Sequence, residues 1–481
     1  MESTKAQCCT AIAIIPSPGM GHLIPLIELS KRLVANHSLQ ITFIVSSFSS
    51  PSLAQRSVLA DLPSSITSVH LPLVDVDDLA PDDRYIETVI SEVMARSVSS
   101  IRETLTSIVS SGSRLAAVVL DLFSTAGIDV AREFNASPYI FFPSTAMFLS
   151  LLLHLPELDV TVDCEYRDLD RVEIPGCSPI PGGQLLDPLQ DRTRSCYTWL
   201  LRHAKAYDQA DGILVNSFSG LEKGAIEALE KRNPKTYPVG PLVYADRRDT
   251  AASDCLRWLD QQPGGSVLYV SFGSGGTLTY EQTCELAMGL EMSGQRFLWV
   301  VRSPCDLEKN SAFFTVHSEK DPFSFLPEGF VERTKGRGMV VDSWAPQVSI
   351  LSHGSTGGFL SHCGWNSTLE SVVSGVPVIA WPLFAEQKMN ALLVTEEIGV
   401  GLRAQANGRS AIIERDEIAR VVRSLMEGEE GKRVRSRVNE VKNVAREAMS
   451  DVGSSTSTLS LVVSMWKLSS SSPAIDKLAS L

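Results

Sequence analysis

Two ionisable residues follow apolar segments that predict buried strands. His22 closes a short glycine-containing loop after the segment Ala11–Ile15, and Asp121 ends the segment Ala116–Asp121. Because parallel strands bring their carboxyl ends to one edge of a sheet, we expect both side chains at that edge. There Asp121 can orient the imidazole of a general base and stabilise its protonated form. The alternatives are structural: His22 packs at the start of the next helix, and Asp121 caps a helix or faces solvent.

A second set of candidate groups lies between Trp344 and Gln387. An exposed tryptophan can stack on a base, and a helix N-terminus lined by polar side chains can bind a diphosphate. The polar side chains at that helix start are His362, Asn366 and Ser367. Ser274, in the glycine-rich segment 271–276, can add a hydroxyl and free amides. The structural alternatives are a packing role for Trp344 and an ordinary turn at 271–276.

Glu370 has two interpretations, which the sequence leaves open. With Ser367 it matches the capping box S-x-x-E, which needs no ligand. Its carboxylate can equally accept hydrogen bonds from ribose hydroxyls. Further along, Glu386 and Gln387 suit a ligand rich in hydroxyls, or form the acidic first turn of the following helix.

Several other types of enzyme or binding site are disfavoured because the sequence lacks their motifs. No G-x-S-x-G motif supports a serine hydrolase. Ile24 replaces the third glycine of the dinucleotide fingerprint, and no acidic residue follows the second strand, which argues against a nicotinamide-dependent oxidoreductase. No H-x-x-x-H pair occurs, and the D-x-D patterns at 75–77 and 168–170 are interpreted as solvated turns. We therefore expect no bound metal.

The amino-acid composition indicates which binding partners and which cellular compartment to expect for this protein. The formal net charge is −13 without a basic stripe, so nucleic-acid binding is disfavoured. The nine cysteines form no C-x-x-C pair, which suits a reducing compartment. The apolar stretch Ala146–Leu155 is too short to span a bilayer. We expect a cytoplasmic protein without membrane insertion or an obligate protein partner.

Short apolar segments alternate with helical patterns in both halves, which predicts an α/β fold of two Rossmann-like domains facing a cleft. Strands are predicted at Ala11–Ile15, Ile41–Val45, Ile66–Leu71, Ala116–Asp121, Tyr139–Phe142, Gly212–Val215, Val267–Val270, Phe297–Val301, Met339–Val341, Gly357–Leu360 and Pro377–Ala380. The predicted division is an N-terminal domain 1–244, a linker 245–254, a C-terminal domain 255–455, a helix 456–468 packing on the first domain, and a tail 469–481.

The segment Trp344–Gln387, with WAPQ, HCGWNS, TLE and a final EQ in register, resembles the signature of the plant secondary-metabolite UDP-glycosyltransferases. The resemblance extends along the chain through PSPGMGHLIP, DLF, FFPSTA, NSF with LE, VSFGSGGTLT and WVVRSP. Several of these motifs are similar to the subgroup that acts on hydroquinone, monolignols and related phenols. Two departures are Glu386, where many relatives carry Asp, and Ser124, where the subgroup often has Gly.

The resemblance implies a GT-B fold whose first domain binds the acceptor and whose second binds the UDP-sugar, with a C-terminal helix crossing back. It implies inverting, metal-independent transfer of glucose from UDP-glucose, a co-substrate, to a phenolic hydroxyl, with no other cofactor. The implied roles are general base for His22 and its partner for Asp121; uracil binding for Trp344, Ala345 and Gln347; diphosphate binding for Ser274, His362, Asn366 and Ser367; ribose binding for Glu370; sugar contact for Thr145, Trp365, Glu386 and Gln387; and acceptor contact for His22 and Ala385. A non-catalytic UDP-sugar-binding protein of the same fold is the alternative.

Overall fold

The computed structural model describes residues 10–243, 254–305, 321–406 and 411–469. The chain forms two compact units. Unit 1 contains the residues up to Thr161, Thr193–Leu242 and the residues from Ala448 onward, whereas unit 2 contains Val162–Arg192 and Val243–Glu447.

Unit 1 is built on a seven-stranded parallel sheet in the order β3-β2-β1-β4-β5-β6-β7. Its strands are β1 Thr10–Ile15, β2 Gln40–Val45, β3 Ile66–His70, β4 Arg114–Asp121, β5 Ser137–Phe142, β6 Gly212–Val215 and β7 Thr236–Pro238. β1 and β4 are apolar along most of their length and almost fully buried, as expected of strands covered on both faces. The strand order reverses between β1 and β4, where open α/β sheets place their ligands.

Helices surround the sheet of unit 1. They are α1 Met20–His37, α2 Leu53–Ala60, α3 Ile86–Arg96, α4 Val98–Ser110, α5 Gly127–Glu133, α6 Ala146–Thr161, α7 Ser195–Tyr207 and α8 Lys223–Leu229. The last described helix, Ser454–Ser469, also packs in this unit. Its buried Trp466 meets the ring of Tyr139 edge-on, with 5.3 Å between ring centroids.

Unit 2 contains a six-stranded parallel sheet in the order β10-β9-β8-β11-β12-β13. Its strands are β8 Val267–Ser271, β9 Arg296–Val301, β10 Gly338–Asp342, β11 Thr356–Ser361, β12 Val378–Ala380 and β13 Gly401–Arg403. Read in chain order, this is the 3-2-1-4-5-6 arrangement of the dinucleotide-binding fold. The strand order reverses between β8 and β11, so the segments after these two strands meet at the switch point.

The helices of unit 2 flank this sheet. They are α9 Asp254–Leu259, α10 Tyr280–Ser293, α11 Phe330–Arg333, α12 Gln347–Leu351, α13 Trp365–Ser374, α14 Gln387–Leu392, α15 Arg415–Glu427 and α16 Glu429–Ala448; the helix Ser454–Ser469 in unit 1 is α17. Short 3-10 segments occur at Pro81–Asp83, Tyr166–Asp168, Gly182–Gln184, Asp187–Leu189 and Pro322–Phe325, and a π-helical turn at Leu393–Glu397. No helix within the described ranges combines the length and apolar character needed to cross a membrane.

The predicted α/β class is confirmed, and every predicted strand is present with small changes at its ends. The strands β7 and β13 were not predicted; they have three residues each and lie at sheet edges. Such short edge strands carry no continuous apolar signal, and an edge position tolerates Pro238. The predicted linker residues 245–253 lie outside the described residues, while Asp254 begins α9. Of the predicted tail, residues 470–481 also lie outside them.

The division into units differs from the predicted domains in two segments. Residues 448–455, predicted to belong to the C-terminal domain, lie in unit 1, and the second difference is a segment inserted into the first domain. Residues 162–192 belong to unit 2 although the chain on both sides belongs to unit 1. Two contacts hold this segment there: Lys388 Nζ lies 3.1 Å from an oxygen of Asp187, and Arg403 donates to the side-chain oxygen of Gln184 at 2.9 Å. Contacts this distant along the chain leave no local pattern in the sequence.

Candidate active site

The structure brings His22 and Asp121 together at the switch point of the unit 1 sheet. Nδ1 of His22 lies 2.8 Å from Oδ2 of Asp121. The Asp121 side chain is fully buried, whereas about a fifth of the His22 side chain is exposed. The carboxylate therefore faces the inner side of the imidazole, and the accessible part of the ring remains for a ligand. This is the geometry that stabilises an imidazolium formed by proton abstraction.

The loop before α1 presents His22 at the first turn of this helix. Gly19, at φ 129°, adopts a backbone conformation that other residues avoid. Its carbonyl accepts the amides of His22 at 3.2 Å and Leu23 at 3.1 Å, which starts the helix. The ring of Phe123 lies 5.8 Å from the imidazole, centroid to centroid, so an aromatic side chain stands beside the candidate base.

Thr145 lies immediately before α6, also in unit 1. Its hydroxyl oxygen accepts the amide of Phe148 at 2.9 Å and thus caps the helix. Both carboxylate oxygens of the buried Glu222 accept amides of the same first turn, from Ala146 and Met147, each at 2.9 Å. The Thr145 hydroxyl oxygen is an acceptor in the cap, and the residue is fully buried.

In unit 2, the segments after β8 and β11 meet at His362. Gly273, at φ 76°, lies so close that an added Cβ would be 2.6 Å from the imidazole, and a Cβ on Gly364 would be 2.4 Å from Nε2. The histidine therefore fits between two glycines. Burial lowers the pKa of His362 to about 4, so the ring is neutral at physiological pH. Nδ1 is buried and has no hydrogen-bond partner among the described residues.

We expect Gly273→Ala to weaken UDP binding by about tenfold, because the methyl group would displace His362, for which the resemblance implies diphosphate binding. Gly294→Ala is the matched control. Gly294 has nearly the same backbone conformation, φ 74°, but an added Cβ there meets nothing within 4 Å. Isothermal titration calorimetry with UDP distinguishes the two variants. Equal losses of affinity would mean that backbone strain, and not the contact with His362, is responsible.

The structure excludes the capping-box interpretation of Glu370. Helix α13 begins at Trp365 after Gly364, so Ser367 is the third residue of the helix and cannot be its N-cap. Instead Gln347 Nε2 donates to Ser367 Oγ at 2.8 Å and to a carboxylate oxygen of Glu370 at 2.6 Å. The hydroxyl of Tyr269 donates to the other end of the Gln347 amide at 3.4 Å.

The carboxyl group in this cluster, that of Glu370, has an unusually high pKa. Burial raises the pKa of Glu370 to about 7, opposed by the hydrogen bond from Gln347. A group that is costly to ionise in this position is more typical of a ligand site than of a solvated cap. The N-cap residue of α13 is Gly364, so no side chain at the N-cap position caps this ten-residue helix.

Trp344 is 69% exposed and follows β10, which excludes the packing interpretation of this residue. The preceding Ser343 adopts φ 59°, a conformation that is strained for a residue with a side chain. Ala345 is buried in the core formed with residues such as Ile350 and Phe359. Trp365 is also buried, at 3% exposure, which favours a backbone contact over a side-chain contact with any ligand.

The segment before α14 is also strained. Ala385 has φ 53°, and Glu386 is the N-cap of α14. The side-chain oxygen of Gln387 accepts the amides of Leu383 at 2.8 Å and Phe384 at 3.1 Å, so part of this predicted sugar ligand holds the loop itself. These contacts give the loop a defined shape in which Glu386 is partly exposed.

Three residues that support the site were not singled out from the sequence: Glu222, Arg302 and Asn390. Arg302 donates to the carbonyls of Gly273 and Ser274, and Asn390 Nδ2 donates to the Cys363 carbonyl at 2.9 Å. Arg302 and Glu222 lie in the motifs WVVRSP and NSF with LE, which the resemblance included without a role. For Asn390, the available signal was a buried polar residue on the same helical face as Glu386, four positions later.

Unit 1 thus carries a buried acid behind an accessible histidine. Unit 2 carries an exposed tryptophan, and its helix α13 starts after a glycine at the switch point of a parallel sheet. Together with the two parallel sheets, these features define the class of GT-B transferases that use nucleotide sugars.

Comparisons with known proteins support this class. Residues 244–433 match the family model described as UDP-glucoronosyl and UDP-glucosyl transferase. The chain is 56% identical over 474 residues to UDP-glycosyltransferase 72B1 of Arabidopsis thaliana, covering 97% of this chain and 98% of that protein. It is 53% identical over 461 residues to the hydroquinone glucosyltransferase of Rauvolfia serpentina, covering 95% and 97%.

A solved structure shows the same fold. Phytolacca americana UGT2, complexed with UDP-2-fluoro-glucose and pterostilbene, superposes with a TM-score of 0.87 at 48% identity, covering 95% of this chain and all of that one. The chain belongs to the UDP-glucoronosyl and UDP-glucosyl transferase family, and it is a UDP-glycosyltransferase.

Proposed function

We propose that this enzyme transfers glucose from UDP-glucose to the hydroxyl of a small phenolic acceptor, with inversion, giving a β-O-glucoside. The observation that carries the proposal is the pair of His22 and Asp121, 2.8 Å apart, with the carboxylate buried and the imidazole accessible. The names of the relatives support the acceptor class, because hydroquinone and pterostilbene are both phenols.

In this mechanism, His22 takes the proton of the acceptor hydroxyl as its oxygen attacks the anomeric carbon. The bond from that carbon to the diphosphate oxygen breaks, and UDP leaves as an anion. The single displacement inverts the anomeric configuration. Asp121 holds the imidazole and stabilises the imidazolium, and its position behind the ring keeps the proton-accepting nitrogen towards the acceptor.

The acidity of phenols favours them as acceptors. Full proton transfer from a phenol with pKa about 10 to an ordinary histidine near 6.5 is uphill by about 5 kcal/mol. Partial transfer in the transition state lowers this cost. Alkanols hold their protons much more tightly, so we expect them to react far more slowly.

For binding of the sugar donor, we propose the residues that the resemblance implies. Trp344 stacks the uracil, with Ala345 and Gln347 beside it, and Glu370 accepts ribose hydroxyls. The diphosphate is bound by Ser274, His362, Asn366 and Ser367, and the sugar is contacted by Thr145, Trp365, Glu386 and Gln387. Amides at the start of α13 stabilise the departing charge, so the proposed reaction needs no metal. Ala385 and His22 contact the acceptor.

The test is to incubate the purified enzyme with UDP-glucose and a panel of phenols, with and without EDTA. We expect hexosylated products by mass spectrometry, equal rates in EDTA, and the large anomeric proton coupling of a β-glucoside by NMR. Product from alkanols but not from phenols would overturn the acceptor class. Strong inhibition by EDTA, reversed by a divalent cation, would overturn the metal-independent mechanism.

We also propose a cytoplasmic location. The seven cysteines in the described ranges are all free thiols, which is typical of a reducing compartment. A fluorescent fusion, imaged beside cytoplasmic and secretory markers, tests the location.

A further inference from the structure

The segment Asp121–Thr125, here called the acid loop, carries two of the side chains nearest to the candidate base. Asp121 lies against Nδ1 of His22, and Phe123 lies beside the imidazole. Within the loop, the Ser124 amide donates to the Asp121 carbonyl at 2.8 Å, and Ser124 Oγ donates to the Ile15 carbonyl at 3.2 Å. The position of this loop therefore determines how both groups meet His22.

One face of α7 packs against the acid loop. Trp199, His203 and Tyr207 are spaced four residues apart, so they follow one another along the same side of the helix. The buried Tyr207 hydroxyl donates to the carbonyl of Leu122 at 3.0 Å. Nδ1 of the buried His203 lies 2.7 Å from Thr125 Oγ1, and its ring meets Phe123 edge-on with 5.6 Å between centroids.

The neighbours of His203 determine which of its two ring nitrogens donates a hydrogen bond and which accepts one. Ser91, on α3, donates its hydroxyl to the Glu87 carbonyl at 2.6 Å, so its oxygen must accept from Nε2 of His203, 2.9 Å away. Nδ1 is then the unprotonated nitrogen and accepts from the Thr125 hydroxyl. Burial lowers the pKa of His203 to about 3, so the ring stays neutral and this arrangement persists over the working pH range.

We propose that His203 and Tyr207 are positioning residues that hold the acid loop so that Asp121 and Phe123 face His22. The inference rests on the proposed function, because it concerns how the proposed base is oriented. His203 connects the loop to α3, and Tyr207 connects it to the end of α7. Neither side chain touches the reacting atoms. Two hydrogen bonds and one ring contact from a single helix face thus restrain a five-residue loop.

The first test is Tyr207→Phe, which removes only the hydroxyl that bonds to Leu122. We expect kcat/KM for hydroquinone to fall about tenfold, less than the ~100-fold loss that a 1 Å misplacement can cause, with KM for UDP-glucose unchanged. The loss should be smaller for 4-nitrophenol, which ionises readily and depends less on the base. Tyr139→Phe is the matched control: Tyr139 is also buried in unit 1, and its ring packs on Trp466 away from the acid loop.

The second test separates the two nitrogens of His203. His203→Asn keeps an acceptor near the position of Nδ1 for Thr125, whereas His203→Leu keeps none. We expect the asparagine variant to retain more activity than the leucine variant towards hydroquinone. Equal activity of these two variants, or equal losses with hydroquinone and 4-nitrophenol in Tyr207→Phe, would reduce both residues to structural roles and overturn the proposal.

A third measurement does not depend on turnover. We expect the NMR titration midpoint of His22, assigned with His22→Ala, to fall in Tyr207→Phe, because a displaced Asp121 stabilises the imidazolium less. An unchanged midpoint would overturn the inference even if no acceptor were found. Absence of transfer by the wild-type enzyme, with the midpoint shifted as expected, would contradict the proposed function and leave the positioning role standing.

Discussion

Replacing His22 with alanine is expected to lower the glucosylation rate of hydroquinone by about 10²–10⁴-fold, the usual contribution of a general base. The physical reason is that the variant loses the imidazole that lies 2.8 Å from the buried Asp121 and is proposed to accept the proton. UDP affinity should stay within twofold, because the proposed UDP-binding residues lie in unit 2. Initial rates at saturating UDP-glucose, together with calorimetric titration of UDP, give both quantities.

His37→Ala is the matched control for this prediction. His37 lies at the other end of the same helix, so its replacement removes a histidine from α1 without touching Asp121. We expect this variant to keep wild-type rates. The His22 variant should lose less with 4-nitrophenol than with hydroquinone, since an acceptor that is already ionised needs no base. Parallel losses of turnover and UDP affinity in His22→Ala would contradict the assigned role.

Glu370→Gln is expected to change stability and UDP affinity in opposite directions. The folded-state pKa of Glu370, raised by burial to about 7, lies above the ordinary value of 4.5. The protonated form is therefore favoured by folding, and stability is lost as pH rises from about 4.5 to about 7. Above that window the ionised, buried carboxylate costs at most about 3 kcal/mol.

Removing the charge relieves this cost. At pH 8 we expect Glu370→Gln to raise the free energy of unfolding by up to about 3 kcal/mol, with almost no change at pH 4.5. UDP affinity should fall roughly 10- to 100-fold, because hydrogen bonds to a charged acceptor contribute about 1.5–3 kcal/mol. Thermal unfolding at the two pH values and UDP titration at pH 8 measure these effects.

Glu285→Gln is the control, since it makes the same chemical change elsewhere in unit 2. A hydrogen bond from Arg415 lowers the pKa of Glu285, so its charge is favoured in the folded state. This variant should not gain stability at pH 8 and should keep its UDP affinity. A Glu370→Gln protein that is stabilised but binds UDP normally would exclude the ribose role, and one that is destabilised at pH 8 would exclude the buried-charge argument.

Much of the candidate site could be predicted because its residues lie at the ends of recognisable elements. His22 follows β1 and Asp121 ends β4. The apolar sequences of these strands indicate burial on both faces, and parallel strands place their ends at one edge. The exposed Trp344 could be proposed as a ligand residue but not established, since exposure depends on what packs above it. Its 69% exposure excludes the packing interpretation, and the base-stacking role stays a prediction.

Glu370 shows where local patterns fail. The S-x-x-E pattern fits a cap only if Ser367 is the N-cap, but the N-cap is Gly364, three residues earlier. The partner of Glu370 is Gln347, 23 positions away, which no local motif predicts. The contact between His362 and Gly273 is of the same kind, because two loops meet at a switch point that the strand order creates.

The sequence by itself determined the α/β class, most strands, the candidate base and its acid, and, through its motifs, the resemblance to the family. These depend on residues close together in the chain, where periodicity and element ends are visible. Only the tertiary structure decided that residues 162–192 pack in unit 2, that Glu370 is no cap, and that α7 supports the acid loop. Those features arise from contacts between distant residues, whose free energies depend on how the whole unit packs.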